Sequence, residues 1–79
     1  MPSSDLLTPR QTRAARVLLG WNRDALAKAA GIAPRTLIDF EIGARTPNPA
    51  TKRALCSAIE AGGVQLLDGE GVAFMRLAA

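Results

Sequence analysis

Residues 22–43 read NRDALAKAAGIAPRTLIDFEIG and predict two short helices joined by a tight turn. The first of these helices has an apolar face at three- and four-residue spacing, formed by Ala25, Leu26, Ala29 and Ala30. Asn22 is a good N-cap for it, and Gly31 ends it because glycine adopts the left-handed conformation without steric cost. Pro34 begins the second helix at a first-turn position, and Gly43 stops it. Small alanines allow the two helices to cross closely, which is typical of a helix-turn-helix.

The flanking residues predict two further helices. Thr8 is a good N-cap, a proline follows it, and Gln11 completes a capping box, so a helix is expected over 9–19. The inward face of this helix is predicted to contain Ala14, Ala15, Val17, Leu18 and Leu19. Its outward face is predicted to contain Arg10, Gln11 and Arg13. After a loop with two prolines, Asn48 caps a last helix over 49–61.

The periodicity changes after the glycine pair at 62–63. Two apolar runs, at 64–67 and 72–77, flank a glycine-containing turn and predict a β-hairpin. An isolated hairpin is marginal in water, so it must pack on its own helices or pair with a second copy of the chain. The candidate contacts of such a homodimer are Val64, Leu66, Val72, Phe74 and Met75.

Length and composition predict one small helical domain. A chain of 79 residues buries about 60–65 % of its unfolded surface, so its core is marginal and gains from oligomerisation. Only three aromatic residues are present, and aliphatic side chains must fill most of the core. The expected organisation is a flexible tail, a helical domain and a hairpin that is a candidate dimerisation element, at 1–7, 8–62 and 63–79.

The pattern of these residues resembles a known family. The matching positions are Asn22, Leu26, Ala27, Gly31, Ile32, Leu37, Phe40, Glu41 and Gly43, preceded by Arg16, Leu19 and Gly20. In this register the sequence resembles the helix-turn-helix of Cro and phage-repressor-type regulators, also called Xre-like. The resemblance implies a mainly α, lambda-repressor-like four-helix domain, here followed by a short C-terminal β-hairpin or strand pair. It also implies binding to double-stranded DNA without a cofactor.

The resemblance assigns base-reading roles to the second helix of the motif, which enters the major groove. The groove-facing residues are Pro34, Arg35, Thr36, Ile38 and Asp39, of which the last four are the candidate base readers. Arg35 can pair with guanine in a bidentate manner, which supplies about 1–3 kcal/mol of discrimination. The alternatives are that Arg35 only holds a phosphate, that Ile38 packs sideways, and that Asp39 pairs with Arg35 or repels other sequences.

The resemblance also implies phosphate contacts from Asn22, Arg23, Arg45 and Thr46. Arg16 and Glu41 match positions that form an interior ion pair in the family. The chain departs from the family at Arg23, where a glutamine is common, and at Ala33 and Pro34, where polar residues are usual. Because the side chains of Ala33 and Pro34 cannot form hydrogen bonds, we expect fewer direct contacts to base edges and more reliance on DNA shape.

Charge is distributed unevenly along the chain. Residues 1–53 hold nine Lys and Arg against four Asp and Glu, a net charge of +5. Residues 54–79 hold one arginine against three acidic residues, a net charge of −2. The basic half contains the motif, as a surface that faces phosphates requires.

Several classes of protein are excluded by residue content. Cys56 is the single cysteine and histidine is absent, so an internal disulfide and the usual zinc-ligand sets are excluded, and no metal site is expected. Cys56 itself is expected to be a small core residue. No apolar run is long enough to span a bilayer, and the first residues lack the features of a secretion signal. We therefore expect a cytoplasmic, nucleoid-associated protein with no membrane partner.

Three functional classes follow from these features. The first is a sequence-specific DNA-binding regulator, a small repressor that acts as a homodimer. The second is an antitoxin-like or adaptor module that uses the same fold to bind a protein partner, favoured by the proline and aspartate on the groove-facing helix. The third, an enzyme, is excluded because no histidine, activated cysteine, phosphate-binding glycine loop or convergent carboxylate pair is present.

Overall fold

The computed structural model describes residues 7–67 and 70–74. They form four helices and two strands: α1 Pro9–Leu19, α2 Arg23–Ala30, α3 Pro34–Glu41, α4 Pro49–Ala61, β1 Val64–Leu66 and β2 Val72–Phe74. The expectation of a mainly helical helix-turn-helix domain with a C-terminal strand pair is confirmed. The tail predicted at 1–6 and the dimer candidate Met75 lie outside the described residues. Leu7, predicted to belong to the tail, is instead buried in the core.

Local capping signals set the helix ends. The side-chain oxygens of Thr8, Asn22 and Asn48 each accept a hydrogen bond from the backbone N–H three residues later, at 3.1, 2.8 and 2.8 Å. Gly20 and Gly31 end α1 and α2 with φ of 71° and 70°, a region that glycine enters without a Cβ clash. The helices therefore begin and end where the sequence predicts, except that α3 stops at Glu41 rather than at 42.

The core lies where the helices meet the first strand. Its largest fully buried side chains are Leu26, Leu37, Leu55, Ile59, Val64 and Thr12. Burying each of the aliphatic side chains stabilises the fold by about 1.5–3 kcal/mol. Trp21 is half-buried against this core and, with Leu19, fills the space beside Gly62 at the end of α4, where an added Cβ would lie 3.1 Å from the indole ring.

Two predicted helix faces are wrong in detail. On α1, Val17 is 70 % exposed and Gln11 is buried, the reverse of the expected orientation. On α2, Ala27 is buried whereas Ala25 and Ala29 are exposed. Alanine carries too little apolar surface to fix the rotation of α2, so Leu26 decides it, whereas on α1 the buried Gln11 and Thr12 take the inward positions.

Gln11 is buried because it joins α1 to the hairpin. Its Nε2 donates to the carbonyl oxygens of Leu67 and Gly71 at 2.8 and 3.0 Å. Only the Thr8 half of the predicted capping box therefore forms, since the Gln11 amide is used across the fold rather than returned to the cap. One polar side chain satisfies two carbonyls of the hairpin end and holds it on α1.

The two strands are antiparallel, with Val64 opposite Phe74 and Leu66 opposite Val72. Val64 and Leu66 are buried in the core of the same chain, Val72 packs partly against it, and Phe74 is 64 % exposed. Of the two alternatives for these apolar residues, the β1 side chains pack on their own helices and are not available to a second copy. The exposed apolar surface of the hairpin is that of β2 and Leu67.

Cys56 is buried on α4. Burial, followed by the negative charge of Glu60, raises the pKa of its thiol. A neutral thiol among apolar neighbours has little nucleophilic character, so Cys56 serves as a packing residue.

Candidate nucleic-acid interface

A short extended turn connects α2 to α3. The N–H of Gly31 donates to Lys28 O and that of Ile32 to Ala27 O, which closes α2. Ala33 follows in an extended conformation and offers no side-chain cap, and Pro34 takes the first helical position of α3. The carbonyl of Ala33 accepts from the backbone N–H of Thr36 at 3.0 Å. The start of α3 is thus fixed by backbone hydrogen bonds alone, and neither Ala33 nor Pro34 places a polar side chain before Arg35.

The outward side of α3 carries the predicted base readers. Arg35 is the most exposed of them, with 79 % of its side chain accessible. Thr36, Ile38 and Asp39 are half-buried, whereas Leu37 and Phe40 on the other side are buried in the core. The helix therefore has one face fixed by packing and one face that carries hydrogen-bonding groups.

Arg35 and Asp39 form an ion pair one turn apart, with Arg35 Nε 3.2 Å from Asp39 Oδ1. The structure thus contains the pair with Arg35 that the sequence analysis gave as one alternative for Asp39. Exposed pairs at this spacing contribute about 0.5 kcal/mol or less, so the contact orients Arg35 without adding much stability. A small contribution also means that DNA can break the pair at little cost.

Glu41, at the end of α3, is the most buried charged group of this region, with none of its side chain exposed. Arg16 donates to both of its oxygens, from Nε and from Nη2, at 3.1 Å each. Arg16 Nη1 also donates to the carbonyl of Trp21 at 3.3 Å. This arrangement joins α1, the turn before α2 and the end of α3, and it matches the pair that the family resemblance implies.

Arg23 is a third partner of this group. Its Nε lies 3.3 Å from Glu41 Oε1, and 44 % of its side chain stays exposed. Sequence reasoning assigned Arg23 to a phosphate and missed its bond to Glu41, because eighteen positions separate them and no local pattern joins them. An open depression beside it is lined by Arg16, Asn22, Arg23, Asp24 and Ile38.

The loop after α3 folds back on the helix end. Gly43 has φ of 75°, and the backbone N–H groups of Ala44 and Arg45 both donate to Asp39 O, at 2.9 and 3.3 Å. Arg45 is thereby held near the C-terminal end of α3, and both it and Thr46 are exposed. The fold keeps these two candidate phosphate contacts close to the candidate base-reading helix.

Carboxylates of this region are largely neutralised within the chain. Asp39 is paired with Arg35, and Glu41 is paired with Arg16 and Arg23. The candidate surface therefore presents guanidinium groups, and Asp24, exposed beside Arg23, is its remaining carboxylate outside these pairs among the described residues. Among residues 7–67 and 70–74, no cluster of three His, Cys, Asp or Glu is placed to hold a metal, and no helix is long and apolar enough to cross a membrane.

Two short helices joined by a tight turn, with a buried ion-pair anchor and an exposed arginine near the start of the second helix, are typical of a DNA-binding helix-turn-helix domain. A family model described as helix-turn-helix matches residues 13–61. The chain belongs to this family, the Cro and phage-repressor type also called Xre-like. The family is one of non-enzymatic DNA-binding proteins, and the chain is a helix-turn-helix DNA-binding regulator in this general sense. None of the curated proteins compared with the chain matches it.

Proposed function

We propose that the chain is a sequence-specific transcriptional repressor that inserts α3 into the major groove of double-stranded DNA. The observation that carries this proposal is Arg35, which is 79 % exposed near the N-terminal end of α3 while the opposite side of the helix is buried. Helix-turn-helix proteins read bases from this part of the second helix. Arg35 is the guanine reader, and the protein works in the cytoplasm, at the nucleoid.

The other candidate residues of α3 contribute less to base recognition than Arg35 does. Thr36 is half-buried and suited to a phosphate or a base edge, and Ile38 to a thymine methyl. Asp39 orients Arg35 through their ion pair and disfavours base pairs that present an acceptor atom, such as a carbonyl oxygen, beside its carboxylate. With Ala33 and Pro34 offering no side-chain donor, DNA shape supplies part of the specificity.

The phosphate contacts come from both ends of the motif. Asn22 and Arg23 lie at the start of α2, and Arg45 and Thr46 lie in the loop after α3, all four exposed. Arg23 holds Glu41 through Nε, which leaves its two terminal nitrogens to reach a phosphate oxygen. Each cationic contact releases counterions and makes binding more sensitive to salt.

A homodimer formed through the C-terminal strands completes the proposal. Phe74 is 64 % exposed, and the edge of β2 away from β1 pairs with no other strand among residues 7–67 and 70–74, so β2 offers backbone hydrogen bonds and apolar surface to a second β2. A two-fold dimer would place two α3 helices on half-sites about 34 Å apart, or a multiple of that distance.

A second candidate is an antitoxin-like or adaptor module that binds a protein with this fold. It is supported by exposed apolar side chains away from α3, of which Val17 is 70 % accessible. The two functions are compatible when one protein both represses a promoter and binds a partner.

Fluorescence anisotropy tests the DNA-binding proposal. The protein is titrated into a random duplex and into a fragment from upstream of its own gene, across a salt series, with Arg35→Ala and the matched control Arg53→Ala. We expect tighter binding to the upstream fragment, steep weakening with salt, and loss of the preference in Arg35→Ala but not in Arg53→Ala. Absence of binding to both duplexes at low salt would leave the protein-binding module as the better account.

A further inference from the structure

A second groove lies between α1 and β2. Its floor is apolar and is formed by Ala14, Val17, Leu18 and Val72. Val17 is 70 % exposed, and Phe74, two residues beyond Val72 on the same strand, is 64 % exposed. Val17 points outward because Gln11 and Thr12 occupy the inward face of α1. Of the apolar lining residues Val17 is exposed and Ala14, Leu18 and Val72 are half-buried, so the floor is a small apolar strip that a partner side chain can cover.

The rim of this groove is cationic. Arg10 and Arg13 line it, together with Arg16. Within residues 7–67 and 70–74, Arg16, Arg23 and Arg35 are each paired with a carboxylate, whereas Arg10 and Arg13 form no ion pair. No acidic side chain lines the groove in the part of the chain that the structure describes. No carboxylate of the described residues therefore competes for these two rim arginines.

Apolar floor and cationic rim together favour one kind of occupant. DNA phosphates need cations and polar donors, and they gain nothing from an apolar floor. A second copy bound by two-fold symmetry would place the same patch against itself and bring the rim arginines of both copies together. A segment with leucine-like side chains flanked by Asp or Glu would pack its apolar side chains on the floor and pair its carboxylates with the rim arginines.

We propose that the groove between α1 and β2 binds an acidic amphipathic segment of a partner protein. From Arg10 to Val17 the groove follows two turns of α1, roughly 10 Å, which matches two turns of a partner helix. The apolar residues of that segment cover Val17 and Val72, and its carboxylates pair with Arg10 and Arg13. This proposal rests on the second candidate function given above, for which it specifies the partner, and it does not depend on α3 or on DNA binding.

NMR titration of the full-length, isotope-labelled protein tests this proposal. The probe is a helical peptide of about 15 residues with leucine at positions i, i+3, i+4 and i+7 and glutamate beside them. Two control peptides replace every glutamate by lysine or every leucine by serine. We expect saturable shifts of the amide signals of Ala14, Val17, Leu18 and Val72 with the first peptide and with neither control.

Variants identify the groups that bind the peptide. We expect Arg10→Glu/Arg13→Glu and Val17→Asp each to weaken it by roughly tenfold or more, because one reverses the rim charge and the other places a charge on the floor. Arg45→Glu/Arg53→Glu changes the net charge equally at exposed positions outside the groove and should retain binding. All of these residues are exposed, so the variants should fold.

Three results would overturn the proposal. The first is equal binding of the lysine peptide, or no binding of the glutamate peptide. The second is that a DNA duplex, rather than the peptide, shifts the groove signals in a manner abolished by Arg10→Glu/Arg13→Glu. The third is that Val17→Asp dissociates a dimer of the protein in sedimentation experiments, which would make the groove an interface between copies.

Discussion

Arg35 and Arg23 both carry a guanidinium at the candidate DNA surface, but their carboxylate partners differ in burial. The Arg35 pair with Asp39 is solvent-exposed on the arginine side, so it is weak and can be exchanged for a contact with DNA. Arg23 is bound to Glu41, which is fully buried, so its Nε is committed to the fold. Arg35 is thus suited to reading a base, and Arg23 is suited to positioning the end of α3.

Asp39→Asn tests the orienting role of Asp39. We expect the free energy of unfolding to change by about 0.5 kcal/mol, because the arginine side of the pair is exposed to solvent. Affinity for random duplex should rise, since a negative charge near the phosphates is lost, and the preference for the operator over random duplex should fall. Anisotropy titrations and thermal melts measure these quantities.

Asp24→Asn is the matched control, because it removes the same charge from an exposed position on α2. It should raise affinity for both duplexes without changing their ratio. An operator preference in Asp39→Asn equal to that of the native protein would show that Asp39 has no part in readout.

Residue-level interpretation of the sequence succeeds where the signal is local. The N-caps Thr8, Asn22 and Asn48 follow from the residue type and the next few positions, and each forms its hydrogen bond. Other hydrogen bonds join residues far apart in the chain. Gln11 donates to two backbone carbonyls of the hairpin, and Arg23 donates to the carboxylate of Glu41, which Arg16 also binds. Neither leaves a pattern that a single sequence can reveal.

At the scale of elements, Glu41 ties three parts of the motif together. α3 buries only Leu37, Phe40 and Glu41, so an eight-residue helix relies on few contacts for its orientation. The bidentate bond from Arg16 fixes the end of α3 against α1, and the bond from Arg23 fixes it against the start of α2. Glu41 therefore adds polar attachments to the apolar packing of Leu37 and Phe40 in holding the end of α3.

Glu41→Gln should lower the free energy of unfolding by about 3 kcal/mol, near the lower end of the range for a broken buried pair, because Arg23 is partly screened by solvent. For a domain of this size that corresponds to a fall in melting temperature of roughly 12–24 °C. Glu60→Gln on α4, a half-buried carboxylate, is the control and should change the melting temperature far less. Equal melting temperatures for Glu41→Gln and the native protein would rule out a stabilising role for the ion pairs.

Gln11→Ala tests the attachment of the hairpin to α1. The substitution removes the donor of two hydrogen bonds to the carbonyls of Leu67 and Gly71, which should cost about 1–3 kcal/mol. We expect the amides of β2 to exchange with solvent faster, while those of α2 and α3 keep their protection. Gln65→Ala, an exposed glutamine on β1, should leave exchange unchanged. Uniform acceleration across the whole domain would contradict a local attachment.

The helix boundaries could be predicted because capping residues and glycines act within one turn. The buried faces of α1 and α2 could be predicted only in part, since small apolar residues contribute little to the choice of face. Val17 is an example. Thr12 and Gln11 occupy the inward side of α1 and form hydrogen bonds there, so the Val17 side chain faces solvent.

For the whole molecule, the C-terminal hairpin contributes both to the core and to the surface. Its first strand closes the core through Val64 and Leu66, which are buried, and its second strand leaves Phe74 exposed. The sequence could not assign these roles, because both strands are short and similarly apolar. The choice depends on which strand lies against α4 and which lies at the outer edge.

Phe74→Asp tests the proposed dimer. We expect the native protein to sediment as a dimer and Phe74→Asp as a folded monomer, because a charge at the exposed end of β2 disfavours strand pairing. The variant should also lose cooperative occupation of two half-sites. Val17→Asp, which introduces the same charge on α1, should remain dimeric. A dimer that survives Phe74→Asp would move the interface away from β2.

The central claim is that α3 reads DNA through Arg35, and selection from a library of random duplexes tests it most directly. The native protein, Arg35→Ala and Arg53→Ala are each used to recover bound sequences, which are then compared position by position. We predict that the native protein and Arg53→Ala recover a shared guanine in each half-site, and that Arg35→Ala still binds but loses the preference at that position alone. Recovery of the same guanine by Arg35→Ala would contradict the account.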